Sequence, residues 1–354
     1  MSLTTLNHPK SLTLQWHLTD RCNFRCKHCY AETYENEELH LDALKRVFDE
    51  YIALLKKTGA QGRLNLTGGE PLLRQDLLDF LEYISQYKKY FKHCTLLTNG
   101  SLLTKNFLQA LKKRAPIVSG IQISIEGPEE INDEIRGKGS FEKILAAVSL
   151  VKQNEIPVHL AATISRMNYP QVLELVDLLL IYDVRMTLRR FVPIGGGKKE
   201  IAMMLKPREL RDFYIKVEKL NQKYRLKNGN GVFKTNTCMS GLKYTQWPSG
   251  NFHSCGVRRM SIITIMPNGD VYPCRLFPNK IGNIKKQTLN KIYENDYKKL
   301  VTNMPRDKEC PKCSVFEKCK GGASCISAAV TGNFFAKDPQ CWKGRKAQIS
   351  ISPP

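Results

Sequence analysis

From Leu12 to Arg190 the chain alternates short apolar or β-branched runs with amphipathic segments. LTLQWHL, GRLNLTG, CTLLTNG, GIQISIEG, VHLAATIS and VRMTLRRF read as strands, being short, rich in aliphatic residues and bounded by turn formers. Helical periodicity fills the gaps near 41–57, 75–88, 105–113, 140–153 and 170–182. Such alternation builds βα units on a parallel sheet. The pattern predicts an α/β fold, a partial (β/α)6 TIM-like barrel over 12–224 behind a short segment 1–11. Polar or Gly-rich stretches follow several strands directly: the segment after Leu18, TGGEP at 67–71, TNG at 98–100 and EGP at 126–128. Loops at the carboxy ends of barrel strands converge on one face, so these four should share one site.

VPIGGGKK, after Phe191, breaks the pattern, and a helix is expected over 207–224. Residues 225–254 read as a linker, and 255–354 as a small cysteine-rich domain with little periodicity. Its one regular feature is a hairpin, SIITIMPNGDVYPC, turning at Asn-Gly. There is no internal repeat and no low-complexity tract.

The 354 residues suit one large unit and one small one. No run is long and apolar enough for a membrane helix, and the amino terminus lacks a signal-peptide pattern, so a cytoplasmic protein with no membrane partner is expected. In that compartment twelve cysteines point to metal or cluster binding over disulfides. The formal charge of +22 suggests an acidic partner, but thiolate-bound clusters would offset part of it. No aromatic-basic constellation supports a nucleic-acid site.

After the first strand comes Cys22-Asn-Phe-Arg-Cys26-Lys-His-Cys29-Tyr30. Structural zinc sites use four thiolate or imidazole ligands; three leave one metal position open for a substrate or cofactor. His28 could complete a zinc site, although adjacent side chains rarely converge on one ion.

This C-x3-C-x2-C followed by an aromatic resembles the radical S-adenosylmethionine (SAM) superfamily. The resemblance covers about residues 12 to 190. It implies a 4Fe-4S cluster on Cys22, Cys26 and Cys29 whose open iron binds SAM, reductive cleavage to a 5′-deoxyadenosyl radical, and hydrogen abstraction from a substrate. Tyr30 is the aromatic; Gly68, Gly69 and Glu70 match the family's GGEP, which meets the SAM amino group. Asn99 and Ser124 fall where SAM-contacting polar groups belong, and Arg136 resembles the arginine aimed at the SAM carboxylate.

The downstream cysteines resemble the SPASM extension of peptide and protein maturases, which carries two auxiliary 4Fe-4S clusters. By that resemblance Cys310, Cys313, Cys319 and Cys341 serve the distal cluster, and Cys255, Cys274 and Cys325 the nearer one. A fourth ligand for the latter is open between Cys238, His253 and a free iron. A zinc ribbon on Cys310, Cys313, Cys319 and Cys325 is the structural alternative. Cys94, in an apolar strand, reads as a core residue. Sulfatase-maturing members carry an aspartate after the hairpin cysteine; here it is Arg275, which disfavours formylglycine formation and suits a carboxylate-bearing substrate.

The function expected is oxidative modification of a ribosomally made peptide or protein, an acidic precursor suiting the basic surface, with a flavodoxin or ferredoxin as electron donor. The sequence ahead of the barrel is short for a leader-binding domain, so recognition should use the basic surface or a separate partner. The alternatives are oxidation or decarboxylation of a small acidic cofactor such as a haem precursor, and a non-catalytic, zinc-stabilised nucleic-acid-binding protein.

Overall fold

The computed structural model describes residues 8–35, 37–195, 201–235, 255–277, 279–302, 307–319 and 321–343. The six expected strands are β1 (Ser11–His17), β2 (Gln61–Thr67), β3 (Phe91–Thr98), β4 (Gly120–Ser124), β5 (Val158–Ile164) and β6 (Met186–Arg190). They lie in sequential order and every pair is parallel, from Ser11 opposite Gln61 to Ile164 opposite Arg190. The crossovers carry α1 (Leu41–Thr58), α2 (Leu77–Ser85), α3 (Lys105–Arg114), α4 (Glu129–Arg136), α5 (Ser140–Gln153) and α6 (Val176–Ile181), and α7 (Pro207–Lys223) follows. Local chemistry sets the helix ends: Thr104 caps α3 by accepting from the Phe107 N–H, and Gly59 ends α1 in the left-handed region at φ 64°.

Strand alternation divides the side chains between two faces. Leu12, Leu14, Trp16, Leu64, Leu66, Cys94, Leu96, Ile121 and Ile123 are fully buried in the layer between sheet and helices. The intervening positions, among them His17, Arg63, Gln122, Ser124, His159 and Arg189, face the opposite side, into the barrel.

Three features depart from the sequence expectations. Helix α4 was not anticipated, because EEINDEIR offers too few apolar positions to show a period: only Asn132, Ile135 and Arg136 are buried. The helix expected over 170–182 opens as a 3-10 turn, Gln171–Leu175, before α6. The sheet also runs past both ends of the six-strand unit. β7 (Phe233–Thr235), from the segment read as linker, pairs parallel with β6. On the far side β8 (Ile262–Ile265) pairs parallel with β1, Thr13 opposite Ile262. β8 turns through Asn268 and Gly269, the latter at φ 88°, into antiparallel β9 (Asp270–Tyr272), and β10 (Gly282–Asn283) completes a ten-stranded sheet. The anticipated hairpin is therefore stitched onto the barrel through β1. No helix among the described residues is long and apolar enough to cross a membrane.

Candidate active site

The loop between β1 and α1 carries Cys22, Cys26 and Cys29, each half-buried. The Phe24 N–H points at the Cys22 sulfur and the Ala31 N–H at the Cys29 sulfur, each at 3.4 Å, and the Cys29 N–H donates to the Cys26 carbonyl at 3.0 Å. Amide donors aimed at sulfur favour its anionic, metal-binding form. Burial acts the other way, pushing the Cys26 thiol up to about 11 and the Cys22 thiol upward, while the Arg136 cation pulls both down. His28 places Nε2 3.1 Å from the Glu126 carboxylate. The donor set is three thiols among amides and one cation, which fits a cubane with an open corner.

The GGEP segment is pressed onto this loop. A Cβ on Gly68 would lie 2.3 Å from the Thr19 carbonyl oxygen, and one on Gly69 2.3 Å from that of Arg21. The Gly69 and Glu70 N–H groups donate to those two carbonyls at 2.7 Å. The close approach that demands glycine is made to the cysteine loop itself. Gly69→Ala is accordingly expected to displace the loop and lower cluster iron by more than half at modest cost to global stability, measured by iron content alongside circular dichroism; unchanged iron content would contradict it. Glu70 is fully buried and accepts from Leu72 N–H (3.1 Å), Thr98 Oγ1 (2.8 Å) and Asn99 N–H (2.7 Å), tying the end of β2 to that of β3. Asn99 donates to Asn23 Oδ1 at 2.9 Å, inside the cysteine loop, and accepts from Ser101. Ser124 ends β4, partly exposed on the barrel face.

Arg136 closes α4 and donates to Glu126 Oε1 at 3.1 Å; its guanidinium carbon lies 5.8 Å from the Phe24 ring centroid. Its Nε is buried without a partner, aimed at no protein acceptor. A cavity of about 300 Å³ lies beside it, between the cysteine loop and the start of α5. Glu126 joins His28, Arg136 and the Thr163 N–H (2.8 Å), and these contacts hold its carboxyl below the usual range despite complete burial. Sequence reasoning singled out Arg136 and weighed His28 as a zinc ligand, but missed Glu126, which joins the two. The signal was there: Glu126 continues the alternation of Gln122 and Ser124 on the barrel face.

The remaining cysteines form two groups. Cys310, Cys313, Cys319 and Cys341 line a cavity of about 240 Å³. Cys325, on the helix Ser324–Thr331, is near enough to Cys255 and Cys274 for their charges to raise its thiol. Thus the structure separates Cys325 from Cys310, Cys313 and Cys319, the three with which a zinc ribbon would share an ion. Among the described residues no three His, Cys, Asp or Glu side chains converge tightly enough for a single ion. Thiolates on separate irons of a cubane stand farther apart than ligands of one zinc, and the four ringing a cavity fit that spacing. Cys238 and His253 lie outside the described residues.

The two halves of the site meet at one contact. Arg275 follows Cys274 and Tyr30 follows Cys29; the Arg275 guanidinium carbon lies 4.5 Å from the Tyr30 ring centroid and Nη2 donates to the Tyr30 carbonyl at 3.4 Å. His17, 5.9 Å from Tyr30 between centroids, is lowered to about 3 by burial and by Arg275, and so is neutral near pH 7.

Comparison with known proteins agrees with this geometry. Residues 16–179 match the radical SAM superfamily model, and 255–320 match the SPASM iron-sulfur cluster-binding domain. An AdoMet-dependent heme synthase of Methanosarcina barkeri is 27% identical over 350 residues, covering 93% of this chain and 95% of that protein. The mycofactocin maturase MftC of Mycolicibacterium smegmatis is 26% identical over 347 residues, covering 94% and 83%. Streptococcus suis SuiB, solved with its precursor peptide SuiA, superimposes with a TM-score of 0.74 at 19% identity, covering 96% of this chain and 78% of that one, and shares the fold. A barrel whose first loop gathers three cysteines beside a glycine-pressed GGEP, followed by two further cysteine groups and matched by both models, places the chain in the radical SAM superfamily, as an enzyme with a SPASM domain.

Proposed function

We propose that this enzyme oxidatively modifies a peptide or protein substrate held between two cluster sites. The observation that carries the reading is the Arg275–Tyr30 contact, which joins the residue after a SAM-cluster cysteine to the residue after an auxiliary-cluster cysteine. Cys22, Cys26 and Cys29 would hold the first cluster, which when bound supplies the electron that splits SAM into methionine and a 5′-deoxyadenosyl radical. Arg136, with a buried Nε free of protein acceptors, would take the SAM carboxylate, while Glu126 fixes its orientation. Gly68 and Gly69 keep the cysteine loop in place, and Asn99 and Ser124 present polar groups from neighbouring strand ends. Cys310, Cys313, Cys319 and Cys341, and separately Cys255, Cys274 and Cys325, would hold auxiliary clusters able to accept the electron left on a product radical. The peptide substrate is supported by the maturase relative and by the SuiB–SuiA structure. The reductant would be a flavodoxin or ferredoxin, docking on the basic surface.

The heme synthase relative, which spans nearly the whole chain, favours a second reading, modification of an acidic haem precursor. Anaerobic protein with full iron and sulfide content, given SAM and dithionite, should release 5′-deoxyadenosine, and its true substrate should raise that rate above the uncoupled level. No 5′-deoxyadenosine from cluster-replete protein would refute the assignment. Stimulation by an iron porphyrin and not by peptide would select the second reading.

A further inference from the structure

Several cations face the interior of the barrel, and among the described residues three of its arginines form no ion pair. Arg185, just before β6, and Arg189, on it, share the strand face turned towards the axis, and Arg275 enters beyond β9. Arg189 donates to Gln122 Oε1 at 3.3 Å and Arg275 to a carbonyl, both neutral acceptors. Among the described residues none of the three takes part in an ion pair, and the Nε atoms of all three are buried without a partner.

The positive charge is shared across the barrel. Arg63 on β2 and Lys234 on β7, far apart in strand order, lie near enough across the axis for each to act on His93. Burial, and after it Arg185, Arg63 and Arg189, depress Lys234, and Arg189 and Lys234 help burial to lower His159 to about 4, so that histidine is neutral too. The carboxylates at the rim are committed elsewhere: Glu70 to backbone and hydroxyl donors, Glu126 to His28 and Arg136. Asp20 is the carboxylate whose charge reaches Tyr30.

Arg275 stands over the Tyr30 ring at 4.5 Å, and Arg189 reaches Gln122 Oε1 across the barrel interior. Both act on Tyr30, behind Cys29, and both act on Cys274. A half-buried guanidinium whose Nε is buried without a partner carries a desolvation cost, and two beside the same neighbours carry more. A guanidinium's planar fork of donors suits a planar two-oxygen anion. We propose that Arg189 and Arg275 form the carboxylate-binding end of the substrate site, so that the molecule modified by this enzyme enters the barrel with at least one carboxylate between the two cysteine groups. The inference rests on reading the barrel interior as the substrate site, and it assigns that site's chemistry whichever substrate class applies. Arg189, adjacent to Arg190 in sequence, has no prior place in the cluster or SAM machinery described above.

The test is binding to the cluster-replete enzyme, independent of turnover. The probes are coproporphyrin III, a tetracarboxylate, against its tetramethyl ester, and a glutamate-rich peptide against the same peptide with its carboxylates esterified. For at least one pair, the acid form should bind about ten- to a hundredfold more tightly than the ester, and R189Q and R275Q should each remove most of that margin, with R189K restoring part of it. The porphyrin and peptide arms identify the source of the carboxylate. Iron content should be unchanged in both glutamine variants, and Lys112→Gln, on the exposed face, should bind like the parent. Acid and ester forms binding equally in both pairs, binding undiminished in both variants, or competition by inorganic phosphate as strong as by the probe, would each overturn the proposal. Loss of auxiliary iron in R189Q would also overturn it, by showing that the arginine offsets cluster thiolates. SAM cleavage to 5′-deoxyadenosine in the absence of substrate is measured on the same samples, so failure here stays distinguishable from failure of the radical SAM reading.

Discussion

Cys26→Ala is expected to reduce 5′-deoxyadenosine formation to background and to lower iron by about four atoms per chain, while the far-ultraviolet circular dichroism stays that of the parent. Two thiols cannot hold a cubane with one iron left open, so the loss should be complete. The fold should survive because the loop is anchored by bonds that do not involve sulfur. Gly69 and Glu70 donate to Thr19 and Arg21, the Lys27 N–H donates to the Ile135 carbonyl at 2.9 Å, and Asn99 holds Asn23. Cys94→Ala is the matched control. That thiol is fully buried in the layer between sheet and helices, so its removal should cost about 1 kcal/mol of stability and leave both iron and SAM cleavage intact. Undiminished cleavage in Cys26→Ala would refute the ligand assignment.

The second large effect concerns the union of barrel and cysteine-rich module. Arg190 Nη1 and Nη2 contact the two Asp338 oxygens at 3.2 and 3.0 Å, and Nη1 also donates to Gln340 Oε1 at 3.1 Å. Asp338 accepts in addition from the Ala323 and Gln340 N–H groups at 2.9 Å, and Gln340 Nε2 reaches the Leu205 carbonyl at 2.7 Å. Arg190 and Asp338 are both buried. Removing one partner strands the other, so Asp338→Ala should destabilise by about 3–5 kcal/mol, whereas the apolar pair Arg190→Met with Asp338→Leu should recover much of that loss. Because Asp338 packs beside Cys325 and the Ala323 backbone, Asp338→Ala should also shed auxiliary iron before cluster iron. Denaturant unfolding of the single and double variants measures the coupling. A change under about 1 kcal/mol for Asp338→Ala would show that the bidentate contact is not what joins the two parts.

The elements legible in the chain were those encoded locally. Six strands and most crossover helices follow from short-range periodicity, which depends only on neighbours a few residues apart. The SAM-cluster cysteines were legible for the same reason, since three ligands within one loop must come together however the rest folds. Cys310, Cys313 and Cys319 shared that advantage, and Cys341 joins them around one cavity.

What sequence spacing could not supply was every relation that crosses the fold. Nothing near Ile262 announces that β8 lies along β1, because that pairing is settled by the exposed edge of a distant strand. Glu126 reads as a turn residue until α4 brings Arg136 back to it and the cysteine loop lowers His28 onto it. Arg189 and Arg190 make the point most sharply. As a dipeptide they are equivalent, yet the pleat sends one into the barrel, where it meets the neutral Gln122, and the other out to a carboxylate 148 residues away. The chain alone determined which loops could bear the chemistry, because ligand spacing is a local property. Only the tertiary structure decided which charges are neutralised and which are left waiting for a substrate, because burial and ion pairing depend on segments that meet only after folding.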